Sequence, residues 1–132
     1  MKGTYILIIR LSRARKSQIG KLGKLDFKRG YYAYVGSALN GLKGRIDRHL
    51  RKNKKLFWHI DYLLQYTKII DIFIKSSNKK EECKLANELS KDLKVINHFG
   101  SSDCGCLGHL FYNGDYDLLK SFISRLRMRK YH

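Results

Sequence analysis

Residues 30–50, GYYAYVGSALNGLKGRIDRHL, decide the fold of this chain. The segment YYAYVG at 31–36 predicts a strand, because aromatic and β-branched side chains suit a pleated sheet. Tyr32 and Tyr34 then share one face of that strand. A glycine turn follows, and beyond Asn40 the chain predicts a helix with apolar residues at helical spacing. That apolar stripe comprises Leu42, Ile46 and Leu50.

The other segments predict a single α+β domain over residues 1–132. TYILIIR at 4–10 is apolar on both faces, which indicates a buried central strand. Residues 11–29 carry two glycines at turn positions and predict a hairpin or loop. We therefore expect a small antiparallel sheet of about three strands flanked by helices. The remaining predicted elements are a strand at 68–74, a short strand at 109–112, and helices near 58–65, 79–93 and 115–127.

Charge points to the class of partner. Lysine and arginine number 28 against 11 aspartates and glutamates, a formal net charge of +17. Such an excess favours polyanions, so nucleic acid is the first interpretation, an anionic membrane surface the second and a merely solubilising surface the third. No apolar run reaches the roughly 20 residues of a membrane span, and the run at 5–9 is too short for a signal sequence. Three cysteines do not make a disulfide framework. We therefore expect a cytoplasmic protein and no membrane partner.

Two short motifs and an arginine carry a family resemblance. GTY at 3–5, YVG at 34–36 and the helical Arg45 resemble the two half-motifs and the arginine of GIY-YIG endonucleases. The longer runs are similar to the archaeal Uri-type branch of that superfamily, and the resemblance extends from residue 3 to about residue 111. These runs are YVGSALNGLKGRIDRHL, WHIDYLL and GSSDCGCLGHL.

The half-motifs lie closer together in most of that family than they do here. Tyr5 and Tyr34 are 29 residues apart. Gly30, Tyr31 and Tyr32 would be an alternative first half-motif, but they adjoin YVG and leave no room for a turn between strands. We therefore assign GTY, with 11–29 as an inserted hairpin or loop whose extra length costs little closure entropy.

The resemblance implies hydrolysis of DNA phosphodiester bonds with one divalent ion, Mg²⁺ or Mn²⁺. It implies that Tyr34 is a general base or positions the attacking water, with Tyr5 beside it. A tyrosine acting as a base near neutral pH needs a lowered pKa, which neighbouring cations could provide. Arg45 would clamp the phosphate. His49, one helical turn further on, would orient or deprotonate the water or assist a tyrosine.

Glu82 is the candidate metal ligand. It falls within the apolar stripe of the helix at 79–93, and a carboxylate on a buried face needs a partner. Metal ligation is one explanation and matches the family's glutamate on a later helix, whereas an ion pair with Arg45 is the other. Oxygen ligands suit Mg²⁺ or Mn²⁺. The family's asparagine has one weak candidate here, Asn97.

The loop at 97–109 allows a second interpretation. Cys104, Cys106 and His109 have spacing that zinc ligands use, so a zinc site is an alternative to a tight loop with Ser102 or Asp103 capping a turn. Cys83 is expected to face the core or a neutral surface.

A basic segment follows the predicted site and is expected to contact phosphates. Trp58 and Tyr62 would either stack on an unpaired base or belong to the core. Asp61 would pair with Arg45 or hold a histidine. The cations of the segment are Lys43, Arg48, Arg51, Lys52, Lys54 and Lys55.

The sequence therefore predicts a metal-dependent DNA endonuclease. Two alternatives stay open: a non-catalytic nucleic-acid-binding module that uses the basic face alone, and a zinc-stabilised RNA-binding protein. A single small domain has one active site, so cutting both strands of a duplex would require a partner or a homodimer.

Overall fold

Eight strands and four α-helices form an α+β fold in the computed structural model, which describes residues 1–101 and 105–132. The strands are β1 Gly3–Leu11, β2 Arg15–Gln18, β3 Lys24–Phe27, β4 Gly30–Ala38, β5 Lys68–Ser76, β6 Lys94–Val95, β7 Leu110–Asn113 and β8 Arg129–Lys130. The helices are α1 Leu42–Leu50, α2 His59–Leu64, α3 Glu82–Ser90 and α4 Tyr116–Ser124. None of the helices in the described ranges has the length and apolar character needed to cross a membrane.

Six of the strands form one antiparallel sheet in the order β6-β7-β4-β1-β5-β8. The three long strands at its centre match the predicted strands at 4–10, 31–36 and 68–74, and β7 matches the predicted short strand at 109–112. The predicted total of about three is nevertheless wrong, because β6, β7 and β8 extend the sheet at both edges. β6 and β8 have two residues each, which is too short for any alternating pattern to reveal them.

β1 is the central strand, with β4 on one side and β5 on the other. Its side chains alternate between two separate cores, and Tyr5 and Leu7 enter one while Ile6 and Ile8 enter the other. All four are at most 1% exposed. The prediction of a strand buried on both faces is therefore confirmed, because helices cover the sheet on both sides.

The two faces carry different helices. On the face of Tyr5, the core is completed by α1 and α2 and by the hairpin β2–β3, which contributes Phe27. On the opposite face, α3 and α4 pack through Leu85, Leu89, Leu119 and Ile123. Tyr32 and Tyr34 face α1 and α2, as predicted from the alternation of β4.

Two helices differ from their predicted form. α3 begins at Glu82 and not near 79, because the Ser77 hydroxyl accepts a hydrogen bond from the Lys79 N–H at 3.1 Å and closes a turn before the helix. In α1, Leu50 is 48% exposed and His49 takes the buried position. The apolar stripe of α1 therefore ends in an imidazole, which bonds to Tyr5 as described below.

The glycines of the two half-motifs permit close approaches. Tyr5 and Gly36 are register partners on β1 and β4. A Cβ on Gly36 would lie 2.4 Å from the Tyr5 ring carbon Cζ, and a Cβ on Gly3 would lie 2.0 Å from the Lys75 carbonyl oxygen. Both glycines are therefore required by packing, and Gly36 leaves the space that the Tyr5 ring occupies.

We predict that Gly36→Ala lowers the free energy of unfolding by about 1–3 kcal/mol, the usual range for overpacking a filled core. The Tyr5 ring cannot move aside easily, because it is 1% exposed and its hydroxyl is hydrogen-bonded. Urea denaturation measures the change. Gly44→Ala is the control, since a Cβ there meets nothing within 4 Å and α1 should gain up to about 1 kcal/mol. Equal stability of the two variants would contradict this account.

Candidate functional site

Four of the five predicted catalytic residues line one open cleft of about 520 Å³. Tyr5 comes from β1, Tyr34 from β4, Arg45 from α1 and Glu82 from the first turn of α3. The rings of the two tyrosines have their centroids 6.5 Å apart. Residues that are distant in the chain therefore present a phenol pair, a guanidinium and a carboxylate to one space.

His49, the fifth predicted residue, lies behind Tyr5 and is 3% exposed. The Tyr5 hydroxyl and His49 Nε2 are 2.7 Å apart and share a hydrogen bond. Among the described residues, the other ring nitrogen, Nδ1, is buried without a hydrogen-bond partner. His49 can therefore act on the cleft through Tyr5. Of the roles that the sequence allowed it, the geometry favours assisting a tyrosine.

Burial keeps the side chains of His49, Tyr5 and Tyr34 neutral at physiological pH. It lowers the pKa of His49 to about 3, with the positive charge of Lys54 adding to the effect. Burial also raises the pKa of Tyr5 and that of Tyr34, and the nearby Arg45 charge opposes the rise without cancelling it. The cations therefore do not bring the pKa of Tyr34 below its ordinary value. Both tyrosines therefore present protonated hydroxyl groups to the cleft.

Arg45 is fixed by two contacts at the edge of the cleft. Its Nη1 donates to the Ser37 carbonyl oxygen at 2.9 Å, and its guanidinium carbon lies 4.5 Å from the centroid of the Trp58 ring. The side chain is partly buried. Arg45 is therefore held at the junction of α1 and β4 and not extended into solvent.

Asp61 anchors the segment that carries Trp58. Its carboxylate accepts two hydrogen bonds from Arg48, at 2.8 and 2.9 Å. It also accepts from the backbone N–H groups of Phe57 at 2.9 Å and Trp58 at 2.8 Å. The expected pairing of Asp61 with Arg45 or a histidine is wrong. Arg48 pairs with Asp61 instead, because it lies about one helical turn beyond Arg45 in α1 and beside the start of α2.

This arrangement divides the predicted phosphate-binding cations into two groups. Arg48 pairs with Asp61 and stacks on Trp58, with its guanidinium carbon 4.2 Å from the ring centroid. Lys54 donates to the carbonyl oxygens of Arg48 and His49 at 3.1 and 2.8 Å. These two side chains hold the protein's own backbone and side chains together. The exposed cations are Lys43, Arg51, Lys52 and Lys55.

Glu82 offers an oxygen ligand at the cleft. Its side chain is 17% exposed, with Oε1 4.0 Å from Lys80 Nζ and Oε2 4.0 Å from His109 Nδ1. One carboxylate beside open space suits Mg²⁺ or Mn²⁺, because Mg²⁺ commonly keeps several water ligands and binds through one or two carboxylates. Glu82 and the open cleft therefore fit a divalent ion.

Sequence reasoning missed Gly100 and His59, which also line the cleft. Gly100 has φ +72°, and a Cβ there would lie 3.1 Å from the Tyr34 ring. Its N–H donates to His59 Nδ1 at 2.9 Å. These contacts hold the loop against Tyr34. His59 lies in the motif WHIDYLL and Gly100 in the motif GSSDCGCLGHL, so the sequence did contain a signal for both residues. Asn97 is exposed and does not line the cleft, whereas Asn40 does.

The aromatic residues before and in α2 have different environments. Trp58 and Tyr62 are partly buried and pack against the core. Phe57 is 74% exposed and lines the cleft. Core packing therefore describes Tyr62, whereas Trp58 both packs against the core and lines the cleft. Phe57 is the exposed ring that the sequence did not single out.

A cysteine and histidine cluster lies next to Glu82. It contains Cys83, Cys106 and His109, with their ligand atoms all within 4.8 Å of one another. Cys83, which was expected to face the core or a neutral surface, is half-buried in α3. The predicted Cys104, and the capping candidates Ser102 and Asp103, lie outside the described residues.

We predict that Asp61→Asn lowers the free energy of unfolding at pH 7 by about 3 kcal/mol, the lower end for breaking a buried ion pair, because Arg48 stays 21% exposed. Burial raises the pKa of Asp61, but the hydrogen bonds from Arg48 and the backbone outweigh it, so the pKa lies below 3.8. The stabilisation is therefore present above that value and lost as pH falls through the folded pKa.

Denaturation of Asp61→Asn and wild type at pH 7 and near pH 2 tests both statements. The two proteins should differ strongly at pH 7 and converge in acid. Asp47→Asn is the matched control, because its ion pair with Lys43 is exposed and screened by solvent, so its loss should change stability little. A small effect of Asp61→Asn at pH 7 would contradict the anchoring role.

A separate pH effect follows from His49. Its folded pKa is lowered from 6.5 to about 3, so the unfolded chain binds a proton first and stability falls as pH drops from about 6.5 towards 3. His49→Gln should flatten this decline, leaving a residual slope from His59, whose pKa burial also lowers. Urea midpoints across this range measure it, with the exposed His132→Gln as the control. An unchanged slope in His49→Gln would show that His49 titrates normally.

Comparison with known proteins identifies the family. No curated protein and no solved structure matches the chain. A family model described as a domain of unknown function, DUF123, matches residues 4–131 and so spans every residue of the cleft discussed above. The chain therefore belongs to the DUF123 family.

Proposed function

We propose that this chain is a cytoplasmic, metal-dependent endonuclease of the GIY-YIG type that hydrolyses DNA phosphodiester bonds. The observation that carries the proposal is the convergence of Tyr5, Tyr34, Arg45 and Glu82 on one cleft. Phosphodiester hydrolysis needs an oriented water, positive charge at the phosphoryl oxygens and stabilisation of the leaving oxygen. The four side chains, with a divalent ion, offer groups for each of these tasks.

The charge of the chain supports DNA as the substrate. The formal net charge is +17. Lys43, Arg51, Lys52 and Lys55 are exposed on α1 and the segment after it. Such cations attract the DNA backbone and release its counterions, which gives affinity without sequence preference. We assign them to holding the duplex while the cleft receives one phosphate.

Arg45 is the proposed phosphate clamp. A guanidinium has five N–H donors, and the Ser37 carbonyl uses one of them. Stacking against Trp58 fixes the plane of the group. A fixed, partly buried guanidinium binds two phosphoryl oxygens without first losing side-chain entropy, and its charge stabilises the negative charge that develops in the transition state.

Glu82 is the proposed ligand of the divalent ion. A bound Mg²⁺ or Mn²⁺ there would supply a Lewis acid and a water whose proton is lost more readily. Lys80 Nζ lies 4.0 Å from a Glu82 carboxylate oxygen, at the edge of the cleft. The apolar face of α3, through Leu85 and Leu89, holds the helix against the sheet. The carboxylate is thus presented from a rigid element.

Tyr5 and Tyr34 are proposed to orient the attacking water as neutral hydroxyls. Burial raises both pKa values, so neither is a tyrosinate at neutral pH. The hydrogen bond to His49 fixes the Tyr5 hydroxyl. If the hydroxyl donates to His49, its oxygen lone pairs stay available to accept a hydrogen bond from water. His49 is then a positioning residue that acts through Tyr5.

We predict metal-dependent nicking of supercoiled plasmid by the purified protein in Mg²⁺ or Mn²⁺ and none in EDTA. Arg45→Ala should slow nicking at least about 100-fold, the usual effect of removing a group that stabilises transition-state charge. One active site cuts one strand, so nicked circles should precede linear product unless two chains act together. Gel quantification under enzyme excess provides the rates, with branched oligonucleotides as a second substrate.

Arg13→Ala is the matched control, because it removes the same charge from an exposed position outside the cleft. It should change the nicking rate by less than about threefold at fixed salt. Salt-sensitive DNA binding without nicking on any substrate and with either ion would refute the enzyme and leave a non-catalytic DNA-binding module.

A further inference from the structure

Cys83, Cys106 and His109 meet beside the cleft from separate parts of the chain. Cys83 is the second residue of α3, and the other two lie in the segment that leads into β7. Their ligand atoms all lie within 4.8 Å of one another. In a tetrahedral zinc site, bond lengths of about 2.0–2.3 Å place neighbouring ligand atoms about 3.3–3.8 Å apart. Cys83 Sγ and His109 Nε2 are 3.8 Å apart, at this spacing without any ion present.

The N-terminal end of a helix adjoins the cluster, whose cysteines would be thiolates once a metal ion is bound. Cys83 lies in the first turn of a nine-residue helix, where the helix dipole stabilises negative charge. The net charge of the chain acts in the same direction. His109 is 2% exposed, so the cluster has one ligand fixed in the interior and two partly buried thiols at its border.

His109 also connects this cluster to Glu82. If Nε2 faces the sulfur atoms, the opposite ring nitrogen, Nδ1, faces Glu82 Oε2 at 4.0 Å. A histidine that ligates metal through one nitrogen commonly directs the other N–H to a carboxylate, which fixes the ring and its tautomer. Glu82 is placed to be that carboxylate after a small movement of its side chain.

We propose that Cys83, Cys106 and His109 bind a thiophilic transition-metal ion of the Zn²⁺ class. Its role is structural: it ties the start of α3 to the segment before β7 and so fixes the position of Glu82. The site differs from the Glu82 site for Mg²⁺ or Mn²⁺, because sulfur and imidazole ligands select zinc-like ions and carboxylates select hard ions. A water or one further donor would complete the coordination. The proposal does not depend on Cys104.

The test uses the full chain, purified under reducing conditions from zinc-supplemented medium. Elemental analysis should find about one Zn²⁺ per chain, as a structural site of this kind requires. Replacement by Co²⁺ should produce the visible spectrum of tetrahedral cobalt with sulfur-to-metal charge transfer. Cys83→Ser, Cys106→Ser and His109→Gln should each weaken Zn²⁺ binding at least about tenfold in competition with a chromophoric chelator. His98→Asn is the control, because His98 is exposed in the same segment and asparagine tolerates its positive φ.

Two results would overturn the site. They are zinc-free protein that takes up no Zn²⁺ under reducing conditions and a Co²⁺ spectrum without thiolate charge transfer. The Co²⁺ spectrum is read on the wild-type chain, so variants that fail to fold do not decide the matter. No readout is nuclease activity, so failure of this site and failure of the proposed enzyme are distinguishable.

Discussion

The hydrogen bond between Tyr5 and His49 joins the central strand to the helix that carries Arg45. The two side chains are 1% and 3% exposed, so each polar group has the other, and not water, as its hydrogen-bond partner. Leaving a buried donor or acceptor unpaired costs about 1–3 kcal/mol, which favours a single docking of α1 on β1. Gly36 provides the space for the Tyr5 ring. The contact between Tyr5 and His49 therefore both limits how α1 packs on β1 and fixes a side chain that lines the cleft.

A second set of contacts fixes the other wall of the cleft. Asp61 is the buried carboxylate on which Arg48 and two backbone N–H groups converge. The Trp58 ring in turn contacts the guanidinium groups of both Arg45 and Arg48. The chain has a net charge of +17, and the buried carboxylate of Asp61 orders two of its arginines. Because Arg48 is paired with Asp61, only Arg45 remains for the proposed contact with a phosphate. Rigid support of this kind matches what electrostatic stabilisation of a transition state requires.

The sequence was sufficient for the long, strongly patterned elements and for most of the cleft. Alternation in β1 and β4 predicted which tyrosines share a face, and the stripe of the third helix marked Glu82 as unusual. It was insufficient where tertiary contacts override local pattern. Leu50, expected in the buried stripe of α1, is exposed, and His49 beside it is buried because its imidazole has a hydrogen-bond partner in Tyr5. The pairing of Asp61 with Arg48, and the meeting of Cys83 with His109, depend on how helices dock and leave no periodic signal.

The central claim is that this cleft hydrolyses phosphodiesters and does not merely bind them. Glu82→Gln tests it most directly, with the single-turnover cleavage rate and the equilibrium DNA affinity measured on the same samples. Glu88→Gln, an exposed change on the same helix, is the control. The account predicts a rate lowered at least about 100-fold in Glu82→Gln with affinity within a few-fold of wild type. Cleavage that survives Glu82→Gln, or a rate that falls only in proportion to affinity, would contradict it.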